Sequence, residues 1–166
     1  MAAGATQADC VLEVGAGTGA ITRVLAQRVP VSKLVIIEPN QSWAAGLRAQ
    51  FPRATVHAAM LHELEHVLQS LPKRTKVVSS LPFRSLPADV LGPTLGVLLP
   101  FLQSSPGREL TQFSYQPRPP FRAPEGMRWK LQNVVLANLP PAGVWELHAV
   151  GPAGGAISPQ TASPAP

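Results

Sequence analysis

The chain has 166 residues, a net charge of +5 and a single cysteine. That length supports one domain with a buried core, and a lone Cys10 excludes an internal disulfide, fitting instead a small buried hydrophobe in a reducing compartment. The first basic residue is Arg23, and the longest apolar stretch, 90–102, is interrupted by Pro93 and Pro100; neither a secretory signal nor a membrane span of about 20 residues is predicted, and the expected location is the cytoplasm.

Residues 1–8 form a short leading segment, and periodicity then predicts alternating elements over 9–150. A strand at 10–14 runs into Val11-Leu-Glu13-Val-Gly15-Ala-Gly17-Thr18-Gly19. Three glycines let the backbone turn sharply and approach a ligand where a Cβ would collide. A helix at 19–28 follows, so the turn lies at a strand-to-helix corner with its N–H groups outward. The next strand, 33–38, delivers Glu38 to the same cleft, where a carboxylate can accept hydrogen bonds from ribose hydroxyls. These residues read as an S-adenosylmethionine pocket. A nicotinamide dinucleotide is the competing ligand, since Gly15, Gly17 and Ala20 satisfy the looser dinucleotide pattern. Against it stand Glu13, where that pattern wants an apolar residue, and a chain with no room for a separate substrate domain.

Further along, a helix is predicted at 41–50, a strand at 54–58 and a helix at 61–70. The last carries His62 and His66 four residues apart with Glu63 between, superficially like a zinc-protease helix. With no third ligand and a position away from the cleft, no metal is expected. A strand at 76–80 ends in Ser79-Ser80-Leu81-Pro82-Phe83, across the cleft from the glycine turn. Here an acceptor is expected, with the proline turning carbonyls toward the cleft and the Phe83 ring facing a planar base or a cationic amine. A helix at 87–102 and a strand at 110–115 follow. Tyr115 is a candidate to steady an ammonium-like transition state and Arg118 to hold a phosphate.

Two late strands, near 130–137 and 143–149, are split by Pro140-Pro141 and read as an antiparallel pair. The fold class is therefore α/β: a Rossmann-like, doubly wound, mostly parallel sheet with an antiparallel C-terminal hairpin. Residues 151–166 carry no charge and almost no large apolar side chain, and are expected to be a disordered tail. From Ser70 to Lys130 nine basic residues face three acidic ones, a balance that suits an anionic membrane surface or a nucleic acid backbone.

The glycine run together with Ile37-Glu38-Pro39, Val77-Val-Ser-Ser-Leu-Pro-Phe83, Gln112-Phe-Ser-Tyr115 and Asn138-Leu-Pro-Pro-Ala142 resembles bacterial phospholipid N-methyltransferases, which methylate phosphatidylethanolamine. These are in turn similar to ribosomal RNA adenine dimethylases. The resemblance covers roughly residues 9–150. It implies a class I S-adenosylmethionine-dependent methyltransferase, with S-adenosylhomocysteine as product and a peripheral position at the inner membrane face. It further implies that Glu13, Gly15, Ala16, Gly17, Gly19, Glu38 and Pro39 hold the donor. Ser80, Leu81, Pro82, Phe83 and Tyr115 would surround the acceptor amine.

Three departures accompany the resemblance. Ala58-Ala59-Met60 stands where the family has Gly-Asp-Ala, so the carboxylate for the adenine amino group is missing. Only about eight residues precede the first strand, where relatives carry a further helical segment. Ser80 replaces the asparagine of the RNA enzymes, which favours a lipid amine over a base. An RNA adenine methyltransferase and a binding-only relative without turnover are the alternatives.

Overall fold

The computed structural model describes residues 8–114, 118–135 and 142–150. Tyr115 and the tail 151–166 lie outside the described residues, as does most of the Asn138–Ala142 motif. Seven strands form one sheet: β1 (Cys10–Val14), β2 (Leu34–Ile37), β3 (Thr55–His57), β4 (Thr75–Ser79), β5 (Glu109–Ser114), β6 (Met127–Val135) and β7 (Ala142–Ala149). Their order across the sheet is β3-β2-β1-β4-β5-β7-β6. The first five pair in parallel, while β7 runs antiparallel to both β5 and β6. The chain winds outward from β1 to β3, then crosses back to β4, so strand order reverses between β1 and β4. A crevice opens there, at the carboxyl ends of the strands.

Each face of the sheet carries its own apolar core. Leu12, Val77 and Leu110 pack against Leu68 of α3 (Glu65–Ser70) and Leu98 and Leu102 of α4 (Ala88–Gln103). On the other face Val11, Leu34 and Ile36 pack with Leu25 of α1 (Ala20–Ala26) and Leu47 of α2 (Gln41–Gln50). β1 is buried along its whole length, as expected for a central strand covered on both sides.

Local chemistry sets the element ends. Gly19 caps α1 in the left-handed region (φ 83°), and Asn40 caps α2 by accepting from the Trp43 N–H at 3.1 Å, the geometry that its short polar side chain favours. α4 runs unbroken for 16 residues despite Pro93 and Pro100 within it. An internal proline costs a helix about 3 kcal/mol, a penalty opposed here by burial of Thr94, Leu98, Phe101 and Leu102.

The helix expected at 61–70 is not continuous. A 3-10 turn occupies Leu61–Glu63 and α3 begins at Glu65, with Leu64 between them at φ −115° and ψ 29°. The Glu63 carboxylate accepts from the Met60 N–H at 2.7 Å, and Leu61, Leu64 and Leu68 all turn into the core. His62 and His66 therefore do not share one helix face. Among the described residues no group of three His, Cys, Asp or Glu side chains is placed to hold a metal ion.

Candidate functional site

Gly15, Gly17 and Gly19 all have positive φ (75°, 57° and 83°), a conformation that side chains with a Cβ adopt only at a cost. Their surroundings differ. A Cβ on Gly15 would sit 2.8 Å from Leu81 Cδ2 and one on Gly19 2.8 Å from Leu47 Cδ2, whereas one on Gly17 meets nothing within 4 Å. The outer limb of the turn therefore faces open space.

Glu38 stands beside that limb, only 4% exposed. Its Oε2 accepts from the Gly17 N–H at 2.7 Å and its Oε1 from the Asn40 N–H at 2.9 Å. Each carboxylate oxygen has two lone pairs, so both retain capacity for a further donor such as a sugar hydroxyl. The side chain thus braces the glycine turn. Glu13, at 0% exposure, lies beneath the turn. Thr22 Oγ1 donates to its Oε2 at 2.7 Å, while Oε1 has no partner among the described residues. Burial raises its pKa to about 7, the hydrogen bonds from Thr22 oppose the shift, and the nearby Glu38 charge adds to it.

The segment after β4 folds into a tight turn. The Ser80 N–H donates to Val14 O at 3.1 Å, the Phe83 N–H to Leu81 O at 2.9 Å and the Ser85 N–H to Pro82 O at 2.7 Å. Carbonyls expected to face the cleft here are instead engaged within the protein: Leu81 O and Pro82 O each accept from N–H groups of the turn itself. Phe83 is 2% exposed and meets Phe121 edge-on, centroids 5.1 Å apart; Phe121 meets Trp129 in the same way at 5.0 Å.

Two cavities flank this turn and share Leu81. One, of about 280 Å³, lies against Gly15 and is bounded by Pro39, Met60, Leu61 and Val90, with Thr94 its only polar side chain. The other, of about 150 Å³, is bounded by Ser80, Phe83, Arg84, Gln112 and Ser114. The structure thus brings Gly15, Pro39 and Leu81 to one hollow and Ser80, Leu81, Pro82 and Phe83 to its neighbour. Arg118 is exposed, two residues from Pro120, which also lines the smaller cavity.

Gln112 heads one of the motifs that carry the resemblance, but sequence reasoning assigns it no role of its own. It is 1% exposed and lies in phase with Leu110, both buried on β5. A lone amide in step with a core leucine is the signal that could have marked it.

No family model matches the chain. An ornithine lipid N-methyltransferase from Singulisphaera acidiphila is 35% identical over 89 residues, covering 50% of this chain and 46% of that protein. Ribosomal RNA small subunit methyltransferase A from Maridesulfovibrio salexigens is 28% identical over 78 residues, covering 47% of this chain and 29% of that one. The matches thus span less than half the length of either curated relative. Among solved structures, the methyltransferase domain of bacterial CtHen1-C superposes with a TM-score of 0.61 at 11% identity, over 89% of this chain and 93% of that one. This chain has the class I methyltransferase fold. In the methyltransferase fold's own terms, the glycine turn after β1 and the acidic residue after β2 meet at the strand-order reversal. The segment after β4 closes the opposite side.

Proposed function

We propose that the chain is an S-adenosylmethionine-dependent N-methyltransferase whose acceptor is the amine headgroup of phosphatidylethanolamine-type lipids, met at an anionic membrane surface. The observation that carries this reading is the pair of cavities that share Leu81 as a wall: an apolar hollow against the glycine turn and a smaller one whose walls mix apolar and polar side chains. When bound, S-adenosylmethionine supplies a methyl group made electrophilic by a sulfonium.

The residues present fit that group. Open space beside Gly17 leaves room for its amino-acid portion against Gly15, Ala16, Gly17 and Gly19. Glu38 has lone pairs left for ribose hydroxyls, and Pro39, Met60 and Leu61 offer apolar faces to a purine. Glu13, with one oxygen unpartnered, supports the turn from below. In the neighbouring cavity Ser80, Leu81, Pro82 and Phe83 confine the acceptor amine, with Tyr115 and Arg118 assigned to its ammonium-like transition state and its phosphate. Alignment of two reactants is the main requirement of such a displacement. The similarity to a lipid N-methyltransferase supports the acceptor class, as do the exposed Arg84, Arg118 and Arg122 near the smaller cavity. No helix among the described residues is long and apolar enough to cross a membrane; a peripheral position at the inner face is proposed.

Similarity to a ribosomal RNA methyltransferase supports a second reading, transfer to an adenine in RNA. Labelled methyl transfer into phosphatidylethanolamine vesicles and into structured RNA separates the two. The first reading expects label in lipid alone. Label in RNA alone would replace it by the second, and donor binding without transfer to either would leave a binding-only protein.

A further inference from the structure

Gln112, which lines the smaller cavity, carries the most informative unpaired atom. Its Nε2 donates to Leu81 O at 2.8 Å and to Phe113 O at 2.7 Å. Carbonyl oxygens only accept, so these two bonds fix which end of the amide is nitrogen. The oxygen, Oε1, is buried and has no partner among the described residues, on a side chain that lines the cavity beside Ser80 and Phe83. A buried acceptor without a donor is costly, and natural structures seldom leave one without a reason.

We propose that Gln112 Oε1 is the atom that receives an N–H of the acceptor amine and thereby aims the nitrogen lone pair at the donor side of Leu81. The inference rests on the methyltransferase reading and adds to it a specificity residue in direct contact with substrate. In the transfer, the amine lone pair forms the new N–C bond as the C–S bond breaks, the C–S pair stays on sulfur as a thioether, and the nitrogen's surplus proton leaves to water. A primary amine has N–H groups to offer, and a monomethylated amine still has one. A neutral dimethylated amine has none. Gln112 therefore assists the first two transfers and not a third.

The test compares the unaltered chain with Gln112→Met on vesicles of phosphatidylethanolamine, its N-methyl form and its N,N-dimethyl form, each in phosphatidylglycerol. Loss of the hydrogen bond should lower kcat/KM about tenfold or more on the first two lipids and less than about threefold on the third. An equal fall on all three would reduce Gln112 to an anchor for Leu81 and overturn the proposal, as would no fall at all. Should Gln112→Met fail to fold, a crystal structure of the unaltered chain with S-adenosylhomocysteine and phosphoethanolamine decides: the amine nitrogen is expected about 3 Å from Oε1, and a nitrogen placed elsewhere overturns it. Donor binding with no methylation of any of the three lipids would overturn the amine acceptor and leave the donor site standing. No binding of S-adenosylhomocysteine would remove both.

Discussion

At Glu13 the sequence asked for a ligand, and the structure supplies Thr22 as its first partner. Burial lifts the carboxyl from its ordinary 4.5 to about 7, and this has a definite sign for stability. Below pH 4.5 the folded and unfolded chains both hold the proton; between 4.5 and about 7 only the folded chain does. Stability should therefore fall as pH rises through that window and level off above it, by on the order of 3 kcal/mol. Urea unfolding at pH 5 and pH 8.5 measures the effect, and Glu13→Gln should abolish most of the difference. A pH-independent stability in the unaltered chain would contradict the burial of this group. Glu38 illustrates the limit of motif reading at the same scale: its position after β2 was legible, whereas its bond to the Gly17 N–H was not, because nothing in a linear spacing reveals which backbone donor lies across the turn. Gln112 was missed for a related reason, its role depending on β5 lying beside the turn after β4.

Elements were more legible than contacts. The bounds of β1 and α2 agree with those expected, because β1 is a buried apolar run ended by Gly15 and α2 opens on the Asn40 cap. The split of 61–70 was hidden because leucine spacing there is helical throughout; the break comes from the Glu63 side chain capping the Met60 N–H. Arg108 departs from expectation in another way. Counted among the basic residues of a cationic half, it is in fact buried, donating to Phe101 O and Leu71 O, each at 3.0 Å, with its guanidinium 3.9 Å from the Phe101 ring centroid. It ties the end of α4 to the segment leading into β4, the strand that runs into the Ser80–Phe83 turn. Arg108→Ala should cost roughly 2–4 kcal/mol, since several buried carbonyls lose their donor together. Denaturant titration checks this, and a loss under about 0.5 kcal/mol would show that the tether is dispensable.

For the whole molecule, the doubly wound architecture followed from strand-helix alternation, and the antiparallel end from the proline-split final pair; the order β5-β7-β6 was beyond reach, since adjacency of the last strand to β5 is a long-range choice. Charge works at this scale as well. With Arg108 consumed internally and Lys76 paired with Glu109, the cationic surface proposed to meet lipid is reduced to groups such as Arg84, Arg118 and Arg122. Binding to phosphatidylglycerol-containing vesicles should weaken steeply between about 0.05 and 0.5 M salt as the screening length contracts. Arg118→Glu with Arg122→Glu should weaken it further at low salt. Salt-independent sedimentation with vesicles would point to apolar attachment instead.

The proposed transfer and the role given to Gln112 both depend on a sulfonium nucleoside seated against the glycine turn. Calorimetric titration with S-adenosylhomocysteine is the most direct measurement: the account predicts saturable binding of one molecule per chain, weakened at least tenfold in Gly17→Val, whose added side chain projects into space that no protein atom fills. No heat of binding to a folded, unaltered chain, or equal affinity in the two proteins, would contradict it.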